Sequence, residues 1–185
     1  MRVFIAFELE RSVREQLSAI QNQLRTYVQK GNFSRPENFH ITVRFLGERT
    51  PREIDAIVHC MQRVALSASS FSLESCGLDC FHKKRDICYA DVQDKPELLS
   101  LYHALQDELW SQRLISQKES YTPHITLVRE VVWREPFLQL LKKLRMPSIA
   151  IDITGLSLME STRVDGRLCY LPLTYQGFSE RGDKQ

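Results

Sequence analysis

Asn38-Phe39-His40-Ile41-Thr42-Val43-Arg44-Phe45-Leu46-Gly47 is the stretch on which the fold turns. Apolar and polar residues alternate along it, the period of a half-buried β-strand. Successive strand side chains point to opposite faces, so Phe39, Ile41, Val43 and Phe45 are expected on a core face. His40, Thr42 and Arg44 are expected on the other, placing a titratable base, a hydroxyl and a fixed cation in a row. The pattern returns as Pro123-His124-Ile125-Thr126-Leu127-Val128-Arg129, a little under half the chain further on.

The surroundings of the two strands repeat as well. Ahead of the first, residues 2–9 read as a strand. A helix is expected over about 11–30, with Val13, Leu17, Ile20, Leu24 and Val28 at three- and four-residue steps and Gly31 ending it. A polar loop with Pro36 then leads to His40. Behind that strand, Thr50-Pro51-Arg52-Glu53 has the form of a capping box with proline at the first helical position. Ile54, Ile57, Val58, Met61 and Val64 stripe that helix. Two strands follow, near 71–81 and 86–92. The order then recurs: a helix capped by Asp94 with Leu98, Leu101, Tyr102, Leu105 and Leu109 on one face, a loop with Pro123, the His124 strand, and a helix with Phe137, Leu140, Leu141 and Leu144. Strands near 148–160 and 167–175 close the set, joined by a hairpin turn at Asp165-Gly166. This plan predicts an α+β fold of two similar lobes, antiparallel sheets with flanking helices, related by a pseudo-twofold axis with their His-strands side by side. No Gly/Ser/Pro linker separates them, so residues 1–175 are expected to form one bilobal domain and 176–185 a frayed polar tail.

The totals narrow the function classes. A chain of 185 residues with 43% hydrophobic and 26% charged residues suits one compact domain. A net charge of +2 gives no polyelectrolyte argument for binding long nucleic acid, although a local basic groove is compatible with it. No apolar run approaches the roughly 18 residues of a membrane span. Glu8 and Glu10 cut short the opening apolar run, so it reads as a strand rather than an export signal, and a cytoplasmic monomer is expected. Five cysteines, an odd number, argue against a disulfide framework.

Each His-x-Thr places an imidazole and a hydroxyl on one strand face. An imidazole with an ordinary pKa near 6.5 gives or takes a proton around neutral pH, and two of them across a cleft can serve as acid and base. Threonine hydroxyls can donate to phosphate oxygens, and an arginine offsets charge building up on them. The set matches in-line displacement at a phosphodiester, with no requirement for a metal. One His-x-Thr is incidental in most chains. Two copies in the same slot of a repeated unit, each after a proline-containing loop and each flanked by isoleucine, select the paired reading.

The segments His40-Ile41-Thr42-Val43-Arg44-Phe45-Leu46-Gly47 and Pro123-His124-Ile125-Thr126-Leu127-Val128-Arg129 resemble the two signatures of the 2H phosphoesterase superfamily. Within it the chain is most similar to the RNA 2',3'-cyclic phosphodiesterases, historically called 2'-5' RNA ligases. Arg2-Val3-Phe4-Ile5-Ala6-Phe7 and Pro36-Glu37-Asn38-Phe39 extend the likeness. The resemblance implies a bilobal α+β fold with both motifs in a central cleft and hydrolysis of an RNA 2',3'-cyclic phosphate to a 2'-phosphate. Carried over by position, it makes His40 the proton donor to the leaving 3' oxygen and His124 the base that activates water. Thr42 and Thr126 would bind the phosphate. RNA ends or small cyclic nucleotides are the implied substrates. Some relatives also join tRNA halves through a 2'-5' linkage, and neither ATP nor metal is expected for hydrolysis.

Several residues carry two readings. Arg129 closes the second signature, yet strict alternation points it away from His124 and Thr126 unless the strand bulges or ends before it. Arg44 fits the cleft by parity, with a cross-strand ion pair as the alternative. Tyr121 is either a base-stacking residue or a buried tyrosine at a strand entrance. Cys76, Cys80, His82 and Cys88 resemble a metal cluster but lack the paired short spacings of zinc knuckles, and small buried hydrophobes are the alternative. His59 and His103 lie on helices without a hydroxyl partner. His82-Lys83-Lys84-Arg85 reads as a solvated hairpin tip or as a guide for an RNA backbone. At the level of the whole chain, a non-catalytic RNA-end or nucleotide-binding module on the same fold is the competing function, and a zinc-stabilised module centred on the cysteines is a third.

Overall fold

A computed structural model of the chain describes residues 1–179. In chain order its first half comprises β1 (Arg2–Glu8), α1 (Arg11–Leu24), β2 (Val28–Phe33), a 3-10 turn at Pro36–Asn38, β3 (His40–Glu48), α2 (Pro51–Ser67), β4 (Phe71–Ser75) and β5 (Leu78–Phe81). The second half comprises β6 (Asp86–Asp91), α3 (Pro96–Ser111), β7 (His124–Trp133), α4 (Phe137–Lys143), β8 (Ile149–Ile153), β9 (Gly155–Val164) and β10 (Arg167–Gly177). One sheet runs β10-β9-β1-β3, a second runs β2-β7-β6-β5, and β4 pairs with β8 in a separate ribbon. All strand pairings are antiparallel. The triplet β9-β1-β3 therefore matches β5-β6-β7, with a His-strand third in each.

β1 shows why the two halves share a core. Its five central residues are all buried, which an ordinary one-sided strand would not require. Val3, Ile5 and Phe7 join an apolar cluster that is continuous through both sheets and all four helices. Phe4 and Ala6, on the opposite face, pack with Met159 and Tyr170 beneath the His40 side of the molecule. Helix α2 begins as its sequence prescribes: the Thr50 hydroxyl accepts from the Glu53 amide at 3.3 Å while the Glu53 carboxylate accepts from the Thr50 amide at 2.9 Å. The two-residue turn between β9 and β10 also matches, with Asp165 and Gly166 both at positive φ (50° and 76°) and Val164 opposite Arg167.

Elsewhere the sequence reading needs correction. Helix α1 stops at Leu24; of the residues expected to prolong it to 30, 25–27 form a turn and 28–30 open β2 against β7. Val28 is buried in either arrangement, being four residues after Leu24 and also the first inward position of β2, so its apolarity does not discriminate. The strand expected over 71–81 is broken at Cys76 and Gly77. There the Asp91 carboxylate accepts from the Gly77 amide at 2.7 Å and the Cys76 amide at 3.3 Å, and a Cβ on Gly77 would lie 2.6 Å from that carboxylate. Asp94 does not cap α3: Lys95 holds the N-cap position without a side-chain bond, ahead of Pro96. Of the expected tail, Gln176 and Gly177 complete β10 and Ser179 bridges to Ser69, while 180–185 lie outside the described residues. No helix among the described residues is long and apolar enough to cross a membrane.

Candidate active site

The two imidazoles are tethered in the same way. His40 Nδ1 lies 2.8 Å from the Asn38 carbonyl, and His124 Nδ1 lies 2.7 Å from the Thr122 carbonyl, each two residues back. A carbonyl only accepts, so Nδ1 carries the proton in both rings, and Nε2 is left as the reactive atom. The neutral Nε2 of His40 accepts from the Thr42 hydroxyl at 2.9 Å. Aromatic rings hold both imidazoles from the side: Phe4 and Tyr170 around His40 at 4.9 and 5.0 Å, Phe81 and Tyr89 around His124 at 4.9 and 5.2 Å.

This setting disfavours positive charge. Burial is the largest cause that lowers the His40 pKa to about 4. The bond to Asn38 opposes it, and the charges of Arg129 and His124 add to it. The His124 pKa is also lowered, chiefly by burial and further by Arg129, against the bond to Thr122. Arg129 and His124 are thus both close enough to act on His40.

The arginines reverse the expectation from parity, and one feature explains both. In β3, Ala6 faces Thr42 and Ile5 faces Arg44, so Val43 is an extra residue, a β-bulge. In β7, Tyr89 faces Thr126 and Cys88 faces Val128, so Leu127 is extra in the same place of its motif. Alternation restarts one residue out of phase after each bulge. Arg44 consequently turns away from the cleft and is only 6% exposed. Its Nη2 donates to the Gln117 carbonyl at 2.9 Å and its Nη1 lies 2.8 Å from the Glu119 carboxylate, so it is an ion-paired residue that does not line the cleft. Phe45, expected in the core, emerges 58% exposed. Arg129, the counterpart of Phe45, comes round to line the cleft with His40 and Thr126.

That cleft, of about 380 Å³, is bounded also by Asn32, Phe33, Ser34, Arg35, Asn38, Arg167, Leu168 and Tyr170. Arg35 and Arg167 were not singled out in the sequence. Arg35 sits in the polar approach loop, where its Nη2 reaches the Leu168 carbonyl at 3.2 Å and its Nε is buried without a partner among the described residues. Pro36 marked that loop, but nothing local tied it to the β9–β10 hairpin that supplies the opposite wall.

Tyr121 is not in the cleft. It stacks on Tyr102 with ring centroids 4.2 Å apart, and burial pushes its hydroxyl pKa up. The cysteines do not converge either: Cys80 and Cys88 are buried opposite each other on β5 and β6, Cys76 is exposed, and all five are free thiols. Among the described residues no three His, Cys, Asp or Glu side chains are gathered to hold a metal ion.

Comparison with known proteins agrees with this geometry. Residues 7–165 match the family model of the 2'-5' RNA ligase superfamily. The chain is 29% identical to the RNA 2',3'-cyclic phosphodiesterase of Thermotoga maritima over 164 residues, covering 88% of this chain and 87% of that protein. It is 24% identical to the protein of the same name from Aquifex aeolicus, covering 88% and 89%. Among solved structures, E. coli LigT complexed with 3'-AMP superposes with a TM-score of 0.77 at 22% identity, covering 96% of this chain and 97% of that one. The TT0787 protein of Thermus thermophilus gives 0.77 at 23% identity, covering 98% and 100%. With the match running through both His-x-Thr strands and most of the chain, this protein belongs to the 2'-5' RNA ligase superfamily, a family of 2H phosphoesterases.

Proposed function

We propose that the protein hydrolyses RNA 2',3'-cyclic phosphates to 2'-phosphomonoesters by proton transfer between two histidines. The observation that carries this reading is the matched pair of Nδ1-tethered imidazoles, each leaving Nε2 for chemistry, with His40, Thr126 and Arg129 lining one cleft. His124 takes the proton of the attacking water, and His40 delivers one to the departing 3' oxygen. Thr42 and Thr126 donate to the non-bridging oxygens, and Arg129 offsets the charge that accumulates there. Every proton is held by the protein's own side chains, so the step needs neither ATP nor a metal. Joining RNA ends through a 2'-5' linkage would be the same displacement, with a 5'-hydroxyl in place of water as the nucleophile and the 3' oxygen again departing.

One observation favours exchanged roles: His40, the donor in this scheme, is the imidazole whose pKa is lowered to about 4 in the free protein. A bound phosphate anion offsets that by favouring the imidazolium, and product identity decides between the two. The test is incubation with an RNA oligonucleotide ending in a 2',3'-cyclic phosphate, in EDTA. A 2'-phosphate is expected, with losses of about 10²–10⁴-fold in His40→Ala and His124→Ala. A 3'-phosphate would exchange the acid and base. Binding without turnover would make the protein an RNA-end binder, and full activity in either variant would end the two-histidine mechanism.

A further inference from the structure

The cleft does not end at Arg129. A second groove, of about 570 Å³, opens on the far side of that residue and is lined by Lys83, Lys84, Arg85, Ile87, Arg129 and Glu130. We propose that this groove is an RNA-strand site, which holds the phosphates on the 5' side of the nucleotide whose cyclic phosphate occupies the cleft of His40, Thr126 and Arg129. The proposal rests on the phosphodiesterase reading and adds to it a binding surface away from the reacting bonds.

Charge is the first argument. Four of the six lining residues are cations and one is a carboxylate. Glu130 does little to neutralise them: it accepts from Asn32 Nδ2 at 2.7 Å and lies 4.0 Å from Arg85 Nη1. Lys83, Lys84 and Arg129 form no ion pair among the described residues. A chain with a net charge of only +2 has therefore concentrated unneutralised cations along one groove.

Rigidity is the second. The cations sit at the tip between β5 and β6, and that tip is braced. His82 Nδ1 lies 3.2 Å from one Asp86 oxygen, and Trp133 Nε1 donates to the other at 2.9 Å. Below it the ladder pairs Phe81 with Ile87 and Cys80 with Cys88. The brace fixes the base of the tip, and Lys83, Lys84 and Arg85 line the same groove as Arg129.

Direction is the third. A strand ending in a 2',3'-cyclic phosphate continues only from its 5' oxygen, so the remaining chain leaves the cleft by one route. The other wall presents Phe33, Leu168 and Tyr170. Of its two cations, Arg35 is tied to the Leu168 carbonyl and Arg167 forms no ion pair among the described residues, while the amides of Asn32 and Asn38 are taken by Glu130 and the Leu168 carbonyl. That lining suits a nucleoside. The Lys83–Arg85 side suits a row of phosphates.

The test is the triple variant Lys83→Ser/Lys84→Ser/Arg85→Ser, all at exposed positions outside the reacting cleft. Its kcat/KM is compared with the wild type on adenosine 2',3'-cyclic monophosphate and on a short oligonucleotide ending in the same group. Salt is varied over about 50 to 200 mM. Turnover of the mononucleotide is expected to be unchanged. On the oligonucleotide the variant is expected to lose about tenfold at low salt, with a log–log salt dependence shallower by about 2, since each neutralised single-strand phosphate contributes about 0.7. An oligonucleotide kcat/KM and salt slope equal to the wild type's would overturn the groove while leaving the phosphodiesterase reading intact. Anisotropy of a labelled oligonucleotide ending in a 2'-phosphate separates the remaining case. Weaker binding by the variant, with no turnover of either substrate by the wild type, would keep the groove and remove the enzymatic reading.

Discussion

At the scale of single side chains, the site is arranged so that neither imidazole holds a proton easily before substrate arrives. Burial and the Arg129 guanidinium lower both pKa values below 6.5, His40 to about 4. The proposed reaction requires one proton on the pair, so in the free protein that state is most populated on the acid side of pH 6.5. The pH profile of kcat/KM, which reports the free enzyme, is therefore expected to peak there and to fall by about tenfold per unit at higher pH. A bound phosphate anion favours the imidazolium, so the kcat profile should lie at higher pH. Because the two rings interact, the apparent values belong to the pair. Coincident profiles for kcat and kcat/KM would remove the compensating role of the substrate anion. The same shift affects stability with a definite sign. The unfolded chain takes up the His40 proton first as pH falls, so its contribution is complete above 6.5 and is lost between 6.5 and about 4. In urea unfolding, His40→Asn should show a shallower loss of stability across that window than the wild type, and an unchanged slope would contradict the burial argument.

At the scale of elements, the matching bulges at Val43 and Leu127 decide which arginine reaches the cleft. The bulge in β7 is held from outside the strand. The Leu127 carbonyl accepts from the Ser34 amide at 2.9 Å and from Gln21 Nε2 at 2.9 Å, and Gln21 also donates to the Ser34 carbonyl at 2.7 Å. Gln21 is buried on the core face of α1. Gln21→Leu would leave these carbonyls short of a donor at a cost of about 1–3 kcal/mol. It would also free the bulge that presents Thr126 and Arg129. A lower unfolding midpoint is expected, together with a KM for the cyclic phosphate that rises more than kcat falls. A destabilised variant with unaltered KM would confine Gln21 to a structural role. The same contacts show what could be read from the sequence. His40, Thr42, His124 and Thr126 precede the bulges, so simple alternation holds for their strands up to that point, and His40 and Thr126 line the cleft. Arg44 and Arg129 follow the bulges, and alternation misplaces both. Nothing within either strand announces the extra residue, because what stabilises it in β7 is a glutamine on α1, far away in the chain. Similarly, β2 is recognisable only by its pairing with β7, since Val28 also continues the apolar period of α1.

At the scale of the molecule, the contacts that position the site also cross between its halves. Gln21, in the first half, anchors β7 of the second. Arg44, turned inward from β3, grips the Gln117 carbonyl and the Glu119 carboxylate in the segment that delivers Thr122 and His124. One apolar cluster runs through both sheets. An arrangement of this kind has no surface along which the halves could part without exposing core, so they are expected to unfold together. In a Trp110→Phe background, Trp133, bonded to Asp86 at 2.9 Å, reports the second sheet by fluorescence, and far-UV circular dichroism reports both. The two denaturation curves should coincide. Arg44→Met removes the tether while keeping an apolar stem, and because Glu119 stays solvated the cost is expected to be about 1–3 kcal/mol. Both probes should move by the same amount. If the fluorescence transition separated from the dichroism transition, with or without Arg44→Met, the sheets would be independent folding units, and the placement of His124 relative to His40 would have to depend on something other than a shared core.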